Sequence, residues 1–140
     1  MLGLLYRTLD RIRRRRYPHN HGRIGEDLAH RYLQSHGCTV VARNYRTLSG
    51  SGELDLVAWD GPTLAFVEVK ARTGEEFGPP EGAVDAEKRL RLHTAARDYA
   101  RRANIPWEKT RFDIVSVVLA DARTSKNRGA PKIEWLRGAF

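Results

Sequence analysis

The twenty residues 53–72, ELDLVAWDGPTLAFVEVKAR, constrain the chain more than any other stretch. Two runs rich in Leu, Val, Phe and Trp flank Asp60-Gly61-Pro62, a tight-turn signal, so the stretch reads as a β-hairpin. Runs this apolar suit strands near the centre of a sheet, covered on both sides. Charged side chains nevertheless stand inside them: Glu53 and Asp55 in the first run, Glu68 and Lys70 in the second. Successive side chains alternate between faces, so Glu53 and Asp55 share one face, and so do Glu68 and Lys70. Folding about Gly61-Pro62 sets Asp55 opposite Glu68 and Glu53 opposite Lys70, with Cβ atoms about 5 Å apart. A slip of one residue would send the two sets to opposite faces.

Two carboxylates so close repel and raise each other's pKa. An acid and a lysine two apart on a wet face commonly make nothing more than a cross-strand ion pair of about 0.2–1 kcal/mol. The apolar company of Leu54, Leu56 and Val57, and of Phe66, Val67 and Val69, argues for a covered site and a compensating cation. Mg2+ (or Mn2+) suits it, because such an ion takes carboxylate oxygens and keeps several waters for a substrate phosphate. Glu26, Asp55 and Glu68 set against Lys70 leave two negative charges, which one divalent ion neutralises. The main-chain carbonyl of Val69 is a further candidate ligand. The ion would acidify a bound water and hold charge developing on phosphorus. Lys70 would orient or deprotonate that water, or stabilise the anionic transition state. Glu53 either joins the acids or pairs with Lys70 and holds it, and the second reading is preferred.

The rest of the chain supplies a frame. A helix is predicted over Arg23–His36, stopped by Gly37, with Ile24, Leu28, Tyr32 and Leu33 as its buried stripe and Glu26 at the stripe's edge. Strands are predicted at 38–46, 52–59 and 63–72, followed by a Gly/Pro-rich loop, Thr73–Ala83. A long helix then covers about Asp85–Ala103 with Asp85 as N-cap, and strands follow at 110–120 and 132–136. The order predicts an α/β fold, a mixed central sheet flanked by helices. Lys88 shares the helical stripe of Leu92, Ala95 and Tyr99. A lysine there either snorkels at the end of the stripe or reaches toward the acids or a scissile phosphate. Asp113, inside an apolar strand, reads as structural and paired with Arg111.

Charge points to a polyanionic partner. The formal net charge is +8, and residues 1–17 hold five of those charges. Residues 1–21 read as a basic amphipathic arm and linker, with Leu2, Leu5, Leu9 and Ile12 at helical spacing, and residues 22–140 as the domain. The arm suits a membrane surface or nucleic acid, or is a frayed extension. All but five of the 25 basic residues are arginine, which favours bidentate phosphate contact. Arg43, Arg46, Arg72, Lys88 and Arg91 are the candidate nucleic-acid contacts. The single cysteine, Cys38, rules out a disulfide within the chain and a Cys-based zinc site, and suits a reducing, cytoplasmic setting. No apolar run approaches the roughly 20 residues of a membrane span.

Six blocks in order, RIGEDLAHRYLQSHG, ARNYRT, GELDLVA, FVEVKAR, FGPPEGAVDAEKRLRL and RFDIVSV, resemble the YraN-like family. That family is a group of candidate endonucleases related to Holliday-junction resolvases. The Asp…Glu-x-Lys core resembles that of the restriction-endonuclease-like PD-(D/E)xK superfamily. The resemblance covers about 22–137. It implies a three-layer nuclease fold, a divalent metal, and DNA as substrate. It carries Asp55 and Glu68 over as metal ligands and Lys70 as catalytic lysine, and it matches Glu26 to an acid that resolvase-like nucleases add to the metal site. Resolvase-like relatives often pair, because a two-fold branched substrate needs two sites, so a homodimer is one option. The expected function is metal-dependent hydrolysis of DNA phosphodiester bonds, with branched or otherwise structured DNA among the substrates. The alternatives are a non-catalytic nucleic-acid-binding protein that keeps the fold, and an adaptor that docks through the arm.

Overall fold

The computed structural model describes residues 21–73, 85–119 and 131–140. The basic arm and nearly all of the Thr73–Ala83 loop lie outside the described residues. The elements are α1 (His21–Ser35), β1 (Thr39–Arg46), β2 (Glu53–Asp60), β3 (Thr63–Thr73), α2 (Ala86–Arg102), a 3-10 turn (Trp107–Lys109), β4 (Thr110–Leu119) and β5 (Lys132–Leu136). Asp85 caps α2 as expected, its Oδ1 accepting the Lys88 amide at 2.8 Å. The strands form one sheet in the order β1-β2-β3-β4-β5. Only the β3–β4 pair is parallel, running from Leu64↔Thr110 to Thr73↔Leu119, with α2 in the connection that a parallel pair needs.

The sheet separates two apolar layers, so the fold is a three-layer α/β arrangement. Under α2, Val57, Leu64, Phe66, Phe112 and Ile114 meet Leu92, Ala95, Ala96 and Ala100. Under α1, Leu56, Ala65, Val67, Val115 and Val117 meet Ala29, Leu33 and Cys38. Alternation along β3 therefore serves both layers: 64 and 66 face α2, and 65, 67 and 69 face α1. Each large side chain fully buried this way contributes about 1.5–3 kcal/mol, so β3, with Leu64, Phe66 and Val67 fully buried, is a firm base for a site.

The β2–β3 hairpin has the expected register, from Asp60↔Thr63 to Leu56↔Val67, with Gly61-Pro62 as a two-residue loop. The ladder stops there, one step before Asp55 would face Glu68. On β1, Asn44 takes a positive φ of 51° and is buried, a conformation that Asn tolerates better than most residues. Arg43 reaches toward α1 whereas Tyr45 packs under α2, although the two are two residues apart. On β2, Leu56 lies under α1 and Leu54 under α2, again two apart. Both strands thus switch faces at one level, between the pairs Arg43↔Leu56 and Tyr45↔Leu54. Asp55 occupies that level.

Two glycines bring the helices close to this point. A Cβ on Gly25 of α1 would lie 2.5 Å from the Ala71 Cβ of β3. One on Gly52, leading into β2, would lie 2.7 Å from both the Arg91 carbonyl oxygen and the Ala95 nitrogen of α2. The Gly25 approach also corrects the expected α1 stripe. Gly25, Glu26, Ala29 and Leu33 are buried, while Ile24 stays 45% exposed, because the helix rests on the sheet through its glycine. Glu26 therefore lies within the buried face and not at its edge.

Candidate active site

Four side chains meet where β2 and β3 part and α2 begins. Asp55 and Glu68 are both buried, at 5% and 6% exposure. The Asp55 Oδ2 accepts the Val69 amide at 2.9 Å, so the face switch lets the acid reach across and cap the neighbouring strand where the ladder has ended. Glu68 projects on the α2 side, next to Phe66 in the alternation. There the Lys88 Nζ, on the first turn of α2, lies 2.5 Å from its Oε1. Lys70 is on the same side of β3 and interacts electrostatically with Lys88, Glu68 and Asp55. The reading of Lys88 as a lysine reaching the acids is thus the one the geometry matches.

The charges in this group perturb one another. Burial, and next the Asp55 carboxylate, push Glu68 up to about 8, and the Lys88 ammonium offsets this only in part. Lys70 is lowered from its ordinary value by burial first and then by the like charge of Lys88. Burial by itself would lower Lys88 too, but Glu68 and then Asp55 outweigh it and raise the group. The group thus sets two carboxylates against two ammoniums, and burial is the largest single influence on Glu68, Lys70 and Lys88 alike. A cavity of about 360 Å³ opens beside it, lined by Glu53, Glu68, Asp85, Glu87, Lys88 and Arg91. Asp85 and Glu87 are wall residues that sequence reasoning did not assign to the site. The signal was present, since a capping acid and its first-turn neighbour necessarily flank Lys88.

The other expected residues are placed differently. Glu53 was expected to face Lys70, but it pairs with Arg46 at 2.9 Å, directly across the β1–β2 ladder. The reason is that β2 and β3 have parted by this level, whereas β1 and β2 remain paired. Glu26 is buried, and its Oε2 lies 3.8 Å from the Arg43 Nη2, which itself bonds Asp27 at 2.8 Å. Among the described residues no three His, Cys, Asp or Glu side chains are grouped so as to hold a metal ion. Of the candidate phosphate contacts, Arg43 and Arg46 are engaged by acids of the chain, Arg72 is half-buried on β3, and Arg91 and Lys88 line the cavity. The Val69 main chain serves the site through its amide.

This arrangement lies wholly inside a known sequence family. Residues 25–117 match the uncharacterised protein family UPF0102, an interval that includes Glu26, Asp55, Glu68, Lys70 and Lys88. The chain belongs to that family. Among its relatives is a UPF0102 protein of Solibacter usitatus (strain Ellin6076), 71% identical over 140 residues and covering the whole of both chains. Another, from Koribacter versatilis (strain Ellin345), is 46% identical over 121 residues, 85% of this chain and 78% of the relative. A third, from Nocardia farcinica (strain IFM 10152), is 42% identical over 119 residues, 85% of this chain and 87% of the relative. No helix among the described residues is long and apolar enough to cross a membrane.

Proposed function

We propose that this UPF0102 member is a nuclease that uses Mg2+ or Mn2+ to hydrolyse DNA phosphodiester bonds. The observation that carries the reading is the juxtaposition of two buried carboxylates, Asp55 and Glu68, with Lys70 and Lys88, beside a cavity that Glu68 and Lys88 line. The donors fit a hard divalent ion. Mg2+ typically takes one or two protein carboxylates and completes its shell with waters and substrate phosphate, so a third acid is not required. Burial, and next the Asp55 carboxylate, push Glu68 up, and a divalent ion on the pair offsets both. When bound, the ion supplies a more acidic water and a positive charge beside the phosphate.

The chain's own groups do the rest. Asp55 and Glu68 hold the ion, and the Val69 amide keeps the Asp55 carboxylate in place. Lys70, whose burial and like-charged neighbour loosen its proton, accepts a proton at Nζ from the attacking water or holds charge on the phosphate oxygens. A P–O bond forms to the water oxygen as the bond to the leaving oxygen breaks. Arg91, on the cavity wall, steadies an adjacent phosphate.

One observation favours a second reading, a nucleic-acid-binding protein without catalysis: Lys88 already supplies a counter-ion to Glu68. A single panel separates the two. Labelled linear, flap and four-way DNA are incubated with Mg2+ or Mn2+ and either wild type or Asp55→Ala. The nuclease reading expects cleavage by wild type that EDTA and Asp55→Ala both abolish while DNA binding persists. Binding with no cleavage of any substrate supports the second reading.

A further inference from the structure

Lys88 is placed against the ordinary preferences of a helix. It sits in the first turn of α2, where the helix dipole favours anions and disfavours a cation. The Asp85 cap is made by the Lys88 backbone amide, so the helix start does not need the ammonium. The side chain instead folds onto Glu68, with Nζ 2.5 Å from Oε1, while remaining 36% exposed at the wall of the open cavity. The pair is thus close but not enclosed. A lysine has a flexible four-carbon stem and can withdraw into solvent without moving its helix.

Resting on the nuclease reading, we infer that Lys88 is a displaceable internal counter-ion, holding Glu68 in the metal-free protein and leaving it when a divalent ion binds. Mg2+ ligated by Glu68 would sit about 2.0–2.1 Å from a carboxylate oxygen. An ammonium on the same carboxylate would then be within about 4 Å of a double positive charge, in a site screened less than bulk water. Both cations cannot keep Glu68 at full strength, and the exposed, flexible one gives way. The released ammonium stays at the cavity wall beside Arg91, where a substrate phosphate is the nearest use for it. Ion and substrate sites would then be coupled through one side chain, and in the metal-free protein the ammonium would offset the repulsion between the two acids.

The test is lysine accessibility. Full-length protein is stripped of metal and given a short pulse of an amine-acetylating reagent with and without saturating Mn2+, and peptides are quantified by mass spectrometry. Lys109 and Lys132, both exposed, serve as internal references. The expected result is a several-fold rise in Lys88 acetylation with Mn2+, unchanged references, and no rise in Asp55→Asn. Calorimetry of Mn2+ on the same sample separates the possible failures. Heat of binding with unchanged Lys88 labelling overturns the inference and leaves the nuclease reading standing. No heat and no labelling change overturns both. Lys88→Gln gives a second readout. It should lower the melting temperature in EDTA, and Mn2+ should close most of the gap to wild type. A gap that persists in Mn2+ marks a permanent structural ion pair and contradicts the inference.

Discussion

Two buried acids stand at adjacent steps of the β3–β4 ladder, yet their surroundings differ. Asp113, paired with Val67, is fully buried and faces the α1 side. Its Oδ1 accepts Arg111 Nε at 2.7 Å and the Gly138 amide at 3.0 Å. Its Oδ2 accepts Arg111 Nη2 at 2.8 Å and the Trp135 indole at 3.0 Å. Arg111 also bonds Asp60 at 2.9 Å, and these acids raise its already high pKa. Glu68, one step on and facing α2, has a second carboxylate, Asp55, as neighbour and a half-exposed lysine as counter-ion. Burial alone therefore does not mark a functional acid. The partners differ: Asp113 accepts four bonds from its own chain, whereas Glu68 has one lysine ammonium and a second carboxylate beside it.

The largest contrast should come from exchanging the two roles. Asp113→Ala leaves Arg111 with Asp60 as its remaining acid and takes the acceptor from the Trp135 indole and the Gly138 amide, so it should cost roughly 3–5 kcal/mol in denaturant unfolding. Asp55→Ala and Lys70→Ala should each cut DNA cleavage about 10²–10³-fold, the scale for removing one electrostatic anchor of a transition state. Unlike Asp113→Ala, Lys70→Ala should leave stability and Mn2+ binding nearly unchanged.

Gly52→Ala comes next. Its methyl would meet α2 backbone at 2.7 Å, and the strain should cost about 1–3 kcal/mol while displacing Lys88 and Arg91 from the cavity. Thermal unfolding and Mn2+ titration together would detect both effects.

A pH profile sharpens the comparison further. Glu68 holds its proton more tightly folded than unfolded, since burial and Asp55 raise it from 4.5 to about 8. Its contribution to stability is therefore complete below about 4.5 and is lost as pH rises through about 8. Metal-free melting temperature should fall over that window in wild type, and Glu68→Gln should flatten the fall. With Mn2+ the slope should shrink, because the ion replaces the proton.

The smallest effects concern DNA affinity. Arg91→Gln should lower the salt slope of binding by about one, and Arg46→Gln by much less, since Glu53 already neutralises Arg46.

What the sequence made legible was local. Asp60-Gly61-Pro62 sets a two-residue loop, and that loop fixes the register of the hairpin. The Asp85 cap, the α2 stripe and the KIEWL strand follow from equally short patterns, whereas the stripe left Lys88 open between snorkelling and reaching the acids. What escaped depends on which strand lies beside which. Glu53 chooses Arg46 over Lys70 because of where the ladders end. The face switch at Asp55 needs Asn44 opposite it, and an asparagine within the apolar-leaning run TVVARNYR was its only visible trace. The α1 stripe was misplaced because a glycine contact with Ala71 outweighs the pull of Ile24 toward the core.

The central claim is that Asp55 and Glu68 together form a divalent-cation site. Calorimetric titration of Mn2+ into metal-free wild type, Asp55→Asn and Glu68→Gln addresses it without any substrate. The account predicts a saturable heat in wild type that either substitution removes. Absence of that heat in wild type, or its survival unchanged in Asp55→Asn, would contradict the account.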